Sequence, residues 1–312
     1  MRILITGIFG FIGSHLAKRL CERGHDIVGV ASHEDAMSPQ SLMRLAKFPK
    51  FPNFDWIDPT GDIGIYAPFD ACVHLAGRSS VRESLIDPLG YEAANCFIST
   101  WILDWMQHMR ARRVIHASSV MIYGKDAPLP YTEDKIGSAP ASFYGASKLA
   151  AEVLMNTWRV LHGMETINLR FFSVYGPDLR PDCVPHLIAS AIQNGTEFTL
   201  FGDGSSVRDY VEIEDVLDAI EAALHVPWTQ DFPTSINIGS GVGTRLIDLL
   251  SKIEQGLEKK ARIVHNPAQA GEQQAIVADV RLAKRVLNWS PRVGLDDGIR
   301  RFAEWFKQSR RL

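Results

Sequence analysis

The sequence has few cysteines, and none of them forms a closely spaced pair. Among 312 residues there are four, whereas a small disulfide scaffold would carry far more in proportion to its length. A zinc site or a redox pair would need two cysteines a few residues apart. The ten histidines show no metal-ligand spacing either, so we expect reduced, packed thiols and no metal site. The cysteines are Cys21, Cys72, Cys96 and Cys183.

Long apolar runs and a strong excess of one charge are also lacking. No stretch of 18 apolar residues occurs, which disfavours a membrane-spanning helix. The formal net charge is −3, and no basic block is interleaved with aromatic residues, so nucleic acid is not an expected partner. The opening MRILITG runs directly into a strand pattern and not into a signal peptide. These features predict a globular protein of the cytoplasm.

The chain does contain a regular alternation of short apolar runs and helical patterns, which predicts an α/β fold. Strands alternating with helices imply right-handed crossovers and a parallel sheet covered on both faces. We predict a Rossmann-like, doubly wound parallel sheet in residues 1–176. A smaller, interleaved α/β lobe that binds substrate is predicted in residues 177–312. The strand patterns are RILIT, DIVGVA, DACVHLA, RVIHASS and TINLRFF.

Three glycines follow the first strand pattern. Gly7, Gly10 and Gly13 stand in ILITGIFGFIGSHL, between a strand and an amphipathic helix. Glycine permits a tight turn, the close approach of a pyrophosphate to the backbone, and close packing of helix against strand. The N–H groups at the start of the helix suit a phosphate. The pattern therefore predicts dinucleotide binding, because the required strand–turn–helix context is present.

A tyrosine and a lysine lie four residues apart in SFYGASK. Taken alone, Tyr144 and Lys148 fit a solvated helix face better than a catalytic device. A free tyrosine has a pKa near 10 and is a poor base at pH 7, but a cation one helical turn away favours its phenolate. Ser119 stands 25 residues before Tyr144, at the end of a strand pattern. Its hydroxyl can bridge the phenol and a substrate, which favours the catalytic interpretation.

Seven segments, in one order along nearly the whole chain, resemble a known family. They are similar to the extended short-chain dehydrogenases/reductases of the NAD-dependent sugar-nucleotide epimerase/dehydratase group, of the UDP-glucose 4-epimerase kind. The resemblance implies a catalytic set of Ser119, Tyr144 and Lys148, in which Tyr144 removes a proton from a sugar hydroxyl. The nicotinamide takes the hydride from the same carbon. The segments are ITGIFGFIGSHLA, DACVHLAG, HASSVMIYG, YGASKLAAE, LRFFSVYGP, FGDGSSVRDYVEIEDV and LNWSPRVGLDDGI.

Several functions occur within this family. Its dehydratases carry acidic residues directly after the active-site hydroxyl, whereas Val120 and Met121 follow Ser119 here, so dehydration is disfavoured. We expect a nucleotide-sugar epimerase that oxidises a sugar hydroxyl transiently at C4, with tightly bound NAD(P). The alternative is an NADP-dependent reductase of a 4-keto nucleotide sugar. A non-catalytic NAD(P)-binding sensor is the third hypothesis, although a sensor would not need the whole catalytic set.

The second strand pattern ends without the acidic residue that usually bonds the adenosine ribose in NAD enzymes. Ala31 holds that position, and Ser32 and His33 could bind a 2′-phosphate, whereas Glu34 and Asp35 would oppose one. NAD and NADP are therefore both expected as candidates. The resemblance implies cofactor contacts from Gly7, Phe9, Gly10, Phe11, Ile12, Gly13, Ser32, His33, Asp58, Leu75, Ala76, Gly77, Tyr144, Lys148, Phe171 and Val174.

The resemblance also implies a nucleoside diphosphate sugar as substrate. Arg208 matches the family's diphosphate-binding arginine, since a guanidinium fork fits phosphate oxygens. Ser173 and Arg180 resemble a pair that holds the carboxylate in uronate epimerases, although similar segments occur in hexose epimerases. Residues 269–272 lack an arginine that many relatives use on the diphosphate. The implied contacts are Ser79, Ser119, Ser173, Arg180, Leu200, Phe201, Arg208 and Glu272.

The aromatic residues of two helical patterns predict apolar packing. Trp101 and Trp105, at helical spacing, and Trp158 are expected to be core residues. In the family the two helices that carry them form a bundle between subunits, so the resemblance also implies a homodimer. His74 and His116 lie in strand patterns and are expected to be hydrogen-bonded core histidines.

Overall fold

The chain forms two compact units that alternate along the sequence. A computed structural model describes residues 1–46, 51–59, 61, 68–267 and 273–309. The first unit comprises Met1–Asp126, Ile136–Arg170 and Ala219–Ile236. The second comprises Ala127–Lys135, Phe171–Asp218 and Asn237–Leu312. The chain therefore passes between the units more than once.

The strands are short, as the apolar runs predicted. The run RVIHASS coincides with one strand from end to end, and RILIT coincides with another. The strands are β1 (Arg2–Thr6), β2 (Asp26–Val30), β3 (Phe54–Ile57), β4 (Ala71–His74), β5 (Arg113–Ser119), β6 (Glu165–Phe171), β7 (Ser173–Tyr175), β8 (Glu197–Phe201), β9 (Val207–Glu212), β10 (Ser235–Ile238), β11 (Gly243–Arg245), β12 (Arg262–Asn266) and β13 (Ala275–Ile276).

Helices alternate with many of these strands. Helix α1 follows the glycine turn, and helix α7 contains Tyr144 and Lys148. They are α1 (Phe11–Glu22), α2 (His33–Ala36), α3 (Pro39–Ala46), α4 (Val81–Ile86), α5 (Pro88–Glu92), α6 (Ile98–His108), α7 (Phe143–His162), α8 (Val184–Asn194), α9 (Ile213–His225), α10 (Leu246–Leu257), α11 (Arg281–Leu287) and α12 (Leu295–Ser309). A π-helical segment, Ala93–Phe97, precedes α6, and a 3₁₀ turn, Val120–Ile122, follows β5.

Within the described residues, seven strands form one sheet in the order β10-β6-β5-β4-β1-β2-β3. β1 is paired in parallel with both β2 and β4, so Ile5 lies between Gly29 and Val73. Read from its other edge, the sheet has the order β3-β2-β1-β4-β5-β6, which is that of a doubly wound nucleotide-binding sheet. In such sheets, ligands bind beyond the carboxyl ends of the strands, at the point where the strand order reverses. The predicted parallel sheet is confirmed. The Ser119 end of β5 is one of these carboxyl ends.

The core of the first unit lies on the face of the sheet covered by α6 and α7. Leu4, Val28, Val114, Leu103 and Met155 are among its buried members. The predicted tryptophans pack against this cluster and are partly buried, with the rings of the α6 pair stacked at 4.4 Å. The side chains concerned are Trp101, Trp105 and Trp158. Their predicted packing role is confirmed.

The second unit is built on short strands and three packed helices. β9 is flanked by β11 and β13 and also pairs with β7, while β8 pairs with β12. Helix α10 packs against α8 and α12. The indole Nε1 of Trp289 donates to the carbonyl of Asp215 at 2.9 Å, which joins the segment after α11 to α9. This arrangement fixes the strands that carry the predicted substrate residues.

None of the helices in the described part of the chain is long and apolar enough to cross a membrane.

Candidate active site

The turn after β1 is closed by its own backbone. The Gly10 N–H donates to the Gly7 carbonyl at 2.9 Å. Gly7 has a φ of +65°, which L side chains rarely adopt, and a Cβ there would lie 2.8 Å from the Ala76 nitrogen. A Cβ on Gly13 would lie 2.2 Å from the Gly7 carbonyl oxygen. The glycines therefore let β1, α1 and the loop after β4 approach one another closely.

The beginning of α1 fits the pyrophosphate of a dinucleotide. Gly10 is the N-cap, no side chain caps the helix, and its first turn contains no acidic residue. The helix dipole and the first N–H groups therefore face an anion favourably. Phe9 and Phe11 are buried, so residues 7–13 would hold a cofactor mainly through their backbone. This backbone cradle is the observation on which the fit of a dinucleotide rests.

The end of β2 carries a hydroxyl and two carboxylates that are already hydrogen-bonded. Ser32 Oγ donates to Asp35 Oδ2 at 2.7 Å and accepts from the Asp35 N–H at 3.1 Å. The His33 backbone N–H donates to Asp58 Oδ2 at 2.6 Å. Ser32 thus caps α2 and lies against an acidic side chain. A phosphate brought to Ser32 would meet the Asp35 carboxylate.

Tyr144 and Lys148 lie one turn apart on α7, within the protein. The helix begins after Ser142, whose Oγ accepts from the Gly145 N–H at 3.0 Å, and it ends at Gly163, which has a φ of +66°. Tyr144 is 8% exposed and Lys148 is 4% exposed. The pair is therefore not a solvated helix face, which was the simpler interpretation of the sequence.

Ser119 ends β5 beside this helix. Its Oγ accepts from the Met121 N–H at 3.2 Å and caps the 3₁₀ turn. A Cβ on Gly145 would lie 2.3 Å from the Met121 carbonyl oxygen, so any side chain at 145 would push α7 away from the strand end. Gly145 therefore lets the helix of Tyr144 lie close to the strand of Ser119.

The Lys148 ammonium is held against the same strand end. Its Nζ donates to the Ala117 carbonyl at 2.8 Å, and a Cβ on Gly77 would lie 3.3 Å from that Nζ. Burial lowers the pKa of Lys148 to about 8, and the Glu152 carboxylate opposes this shift. A lysine that changes charge near physiological pH is typical of a functional site.

Two buried histidines, on β4 and β5, lie close enough to Lys148 for its charge to affect their pKa values. The Nδ1 of His74 lies 2.7 Å from Thr6 Oγ1 and its Nε2 lies 3.0 Å from Ser99 Oγ, while burial lowers the pKa of His74 to about 3. His116 Nδ1 lies 2.9 Å from Asn168 Oδ1, but its Nε2 has no hydrogen-bond partner among the described residues. The prediction of hydrogen-bonded core histidines is confirmed for both, although only one ring nitrogen of His116 is hydrogen-bonded within the described residues.

The loop after β4 is fixed by a buried asparagine. Asn95 accepts from the Arg78 N–H at 2.9 Å through its Oδ1, and its Nδ2 donates to the Arg78 carbonyl at 3.0 Å and to Ser147 Oγ at 2.9 Å. These three hydrogen bonds tie the loop to the helical segment of Asn95 and to α7. Residues 75–77 and Ser79, all candidate ligand contacts, lie in this loop.

Two charged residues near the predicted catalytic set were missed from the sequence. Glu152 lies one turn after Lys148 and is 3% exposed. The Arg78 guanidinium lies 4.5 Å from the centroid of the Tyr91 ring, and that ring packs edge-on at 6.2 Å from the ring of Tyr144. Glu152 could have been recognised from the sequence by its spacing, because it is a charged residue one helical turn after Lys148. No local pattern marks Arg78.

The arginines predicted to bind substrate belong to the second unit. Arg208 lies in β9, where its Nη1 donates to the Val207 carbonyl at 2.9 Å. Arg180 forms a two-pronged ion pair with Asp182, with N–O distances of 3.0 and 2.6 Å. A sugar carboxylate at Arg180 would therefore compete with Asp182.

The other predicted ligand residues of the second unit occupy β7, β8 and their surroundings. Ser173 is paired with Tyr210, whereas the side chain of Leu200 is fully buried. Glu272 lies outside the described residues. The remaining predicted contacts of this unit are Phe171, Val174 and Phe201.

Comparisons with a family model and with known proteins all identify similarity to one family of enzymes. A model of the NAD dependent epimerase/dehydratase family matches residues 3–239. The chain is 31% identical to a UDP-glucuronate 4-epimerase from Thermodesulfobacterium geofontis, over 98% of this chain and 96% of that one. It is 33% identical to a UDP-glucose 4-epimerase from Mycolicibacterium smegmatis, over 98% and 99%.

A solved structure extends the comparison to three dimensions. A mutant UDP-glucuronic acid 4-epimerase from Bacillus cereus, in complex with UDP-4-deoxy-4-fluoro-glucuronic acid and NAD, matches with a TM-score of 0.91 and 28% identity. The match covers 99% of this chain and 100% of that one. The shared architecture therefore extends along the whole length of both chains.

Proposed function

The chain belongs to the NAD-dependent epimerase/dehydratase family, and on that premise we propose that it is a nucleotide-sugar 4-epimerase acting on UDP-linked sugars. The buried Tyr144–Lys148 pair, set against the Ser119 strand end, is the observation that carries the proposal. The absence of an acidic side chain at Val120 or Met121 separates it from elimination chemistry.

The proposed reaction uses one base, one hydroxyl and one cation of this chain. Tyr144 removes the proton of the sugar C4 hydroxyl, Ser119 hydrogen-bonds the same oxygen, and Lys148 stabilises the phenolate. Bound nicotinamide supplies reversible hydride acceptance at that carbon. Once the ketone has turned over and a hydride has returned to its other face, Tyr144 gives the proton back to the sugar oxygen, which restores the hydroxyl. Because Lys148 is cationic only below its pKa of about 8, we expect turnover to fall as pH rises through that value.

The proposal is tested by incubating the protein with catalytic NAD and each of UDP-glucose, UDP-galactose, UDP-glucuronate and UDP-galacturonate. Proton NMR of the sugar should show the C4 epimer, approached from either direction. An epimerase regenerates its cofactor, so no reduced nicotinamide should accumulate. Stoichiometric consumption of NADPH with a 4-keto sugar would instead indicate the reductase, and no turnover of any sugar would contradict the proposal.

We propose NAD as the resident cofactor. The Ser32 hydroxyl is hydrogen-bonded to the Asp35 carboxylate, and the His33 N–H is bonded to Asp58. Both carboxylates would repel a 2′-phosphate brought to this strand end, whereas the ribose hydroxyls of NAD can donate to carboxylate oxygens. Ser32 and His33, which the sequence suggested as ligands of a 2′-phosphate, therefore lie in surroundings that favour the ribose hydroxyls of NAD.

We predict that NAD binds at least about tenfold more tightly than NADP, one charge-assisted hydrogen bond being worth about 1.5–3 kcal/mol. Asp35→Asn should reduce that preference several-fold by removing the repulsion. Asp26→Asn makes the same charge change at the opposite end of β2 and should leave the preference unchanged. Calorimetric dissociation constants at one ionic strength decide the matter; an unaltered preference in Asp35→Asn would exclude Asp35 from the ribose site.

For the substrate, we propose that Arg208 binds the diphosphate, and that the backbone at Leu200 and Phe201 contacts the base. The family resemblance and the position of Arg208 on the central strand β9 support this assignment. The Arg180–Asp182 pair requires a sugar carboxylate to displace Asp182. Turnover of the acidic sugars in the NMR assay would show that the site accepts a sugar carboxylate.

We propose that the chain forms a homodimer through α7. Val153, Val160 and Leu161 are 58%, 80% and 70% exposed, and their spacing of seven and eight residues places them on one helix face. Exposed apolar side chains grouped in this way are typical of a protein–protein interface. A second copy of the chain would cover them.

We predict that Val160→Glu weakens self-association by at least about tenfold, or about 1.4 kcal/mol, because a carboxylate would be buried in the interface. Val242→Glu is the matched control, since Val242 is also exposed, at 64%, but lies in the second unit. Sedimentation velocity across a concentration series measures both. A monomeric wild type, or equal weakening by both substitutions, would remove α7 as the interface.

A further inference from the structure

A buried carboxylate lies one turn beyond Lys148, with both of its oxygens fully engaged. Glu152 Oε1 accepts from Ser118 Oγ and from Arg170 Nε, the latter at 3.0 Å. Its Oε2 accepts from Arg170 Nη2 at 2.8 Å and from Ser235 Oγ at 2.9 Å. The Glu152 and Arg170 side chains are each 4% exposed. Such a fully satisfied network rigidifies its surroundings.

The partners of this carboxylate come from three different strands. Ser118 lies in β5, Arg170 in β6 and Ser235 in β10, while Glu152 itself lies in α7. Ser118 stands between Ala117, whose carbonyl accepts from the Lys148 ammonium, and Ser119. The carboxylate thus joins the helix of the proposed base to the strand of the proposed hydroxyl.

Resting on the proposed function, we propose that Glu152 is a positioning residue of the reaction centre. Its carboxylate ties the Ser119 end of β5 to the Tyr144–Lys148 helix and holds the Lys148 side chain in its charged form. The reaction therefore requires a negative charge at position 152. The opposing hypothesis is that the buried carboxylate only stabilises the fold.

The electrostatic part of the proposal follows from the groups that face Lys148. Glu152 on its own helix and Cys96 on the π-helical segment favour the ammonium, whereas burial disfavours it. The strands beneath contribute His74 and His116, both kept neutral by burial, which lowers their pKa values. Glu152, itself balanced by Arg170, is therefore the nearby carboxylate that keeps Lys148 a cation.

The decisive variant is Glu152→Gln, which keeps the shape and removes the charge. We expect the titration midpoint of Lys148 to fall by at least about half a pH unit. The midpoint is followed by the ¹³Cε resonance that Lys148→Met lacks, and the alkaline limb of kcat should move to lower pH with it. Glu221→Gln is the matched control, because Glu221 is a buried carboxylate bound by Arg19 and Arg23 in the same unit.

Glu152→Asp separates the effect of the hydrogen bonds between α7 and the strands from the effect of the negative charge. The shorter side chain keeps the negative charge but cannot span the same partners. We therefore expect a near-normal Lys148 midpoint with kcat lowered roughly tenfold or more and KM little changed. If Glu152→Gln does not fold, which thermal denaturation reports, this variant decides the proposal.

Three results would overturn the inference: an unmoved Lys148 midpoint in Glu152→Gln, the same shift in Glu221→Gln, or wild-type kcat in Glu152→Asp. The titration needs no substrate. If the wild type turns over no UDP-sugar, the proposed function fails, while the Lys148 midpoints still decide whether Glu152 controls that charge.

Discussion

Replacing Tyr144 by phenylalanine should abolish turnover and leave the cofactor bound. The substitution removes one oxygen from a side chain that is 8% exposed and packed against Tyr91, so the fold has little reason to change. Loss of a general base costs about 10²–10⁴-fold in rate. The phenol belongs to proton transfer, whereas the dinucleotide is expected on the glycine turn, so NAD affinity should be unaltered. Steady-state kinetics and calorimetry with NAD measure the two effects separately.

The matched control for this experiment is Tyr175→Phe. The Tyr175 hydroxyl is buried and has no hydrogen-bond partner among the described residues, so its removal makes the same chemical change without a proton-transfer role. We expect Tyr175→Phe to retain most of the wild-type kcat. Comparable turnover by Tyr144→Phe and the wild type would refute Tyr144 as the base, and loss of NAD from Tyr144→Phe would show a structural role instead.

Much of this centre could be predicted from local sequence, because the relevant periodicities are local. The run RVIHASS is a short, almost continuously buried strand that ends at Ser119, so Ser119 was placed correctly at the end of β5. Tyr144 and Lys148 were expected on one helix, and α7 begins at Phe143. The Ser142 hydroxyl accepts from the Gly145 N–H and caps the start of the helix, so Tyr144 lies in its first turn.

The Glu152 network could not be predicted in the same way. Its four hydrogen bonds join Glu152 to residues that lie 18, 34 and 83 positions away in sequence, and only the strand order brings those residues together. The sequence shows an ordinary glutamate on a helix, for which a solvated position is the commonest outcome. Burial of a charge with complete pairing is a tertiary property, and no periodicity encodes it.

The strand end at Ser32 left NAD and NADP as open alternatives, because the sequence does not show what its side chains bond. The missing acid at Ala31 left room for a 2′-phosphate that Ser32 could bind, whereas Asp35 was expected to oppose one. The structure shows that Asp35, three residues later, takes the Ser32 hydroxyl, because a serine before a short helix caps it. This local cap is one of the contacts on which our proposal of NAD rests.

The glycine turn supports the second large expectation, that Gly13→Ala destroys dinucleotide binding. The added methyl carbon would lie 2.2 Å from the Gly7 carbonyl oxygen and 3.1 Å from the Ile8 Cα. Both are backbone atoms, so α1 must move away from β1 and the N–H cradle must open. Overpacking of this kind costs about 1–3 kcal/mol of stability.

We expect the affinity of Gly13→Ala for NAD to fall by at least about a hundredfold, since the pyrophosphate depends on several N–H groups at once. Gly294→Ala is the matched control, because a Cβ at Gly294 would meet nothing within 4 Å. Thermal denaturation without cofactor separates the cost to the fold from the cost to binding. The control should match the wild type in both measurements, whereas Gly13→Ala should lose more in binding than in stability. Wild-type affinity for NAD in Gly13→Ala would mean that the dinucleotide does not lie on this turn, because a cradle displaced by a methyl group cannot bind unchanged.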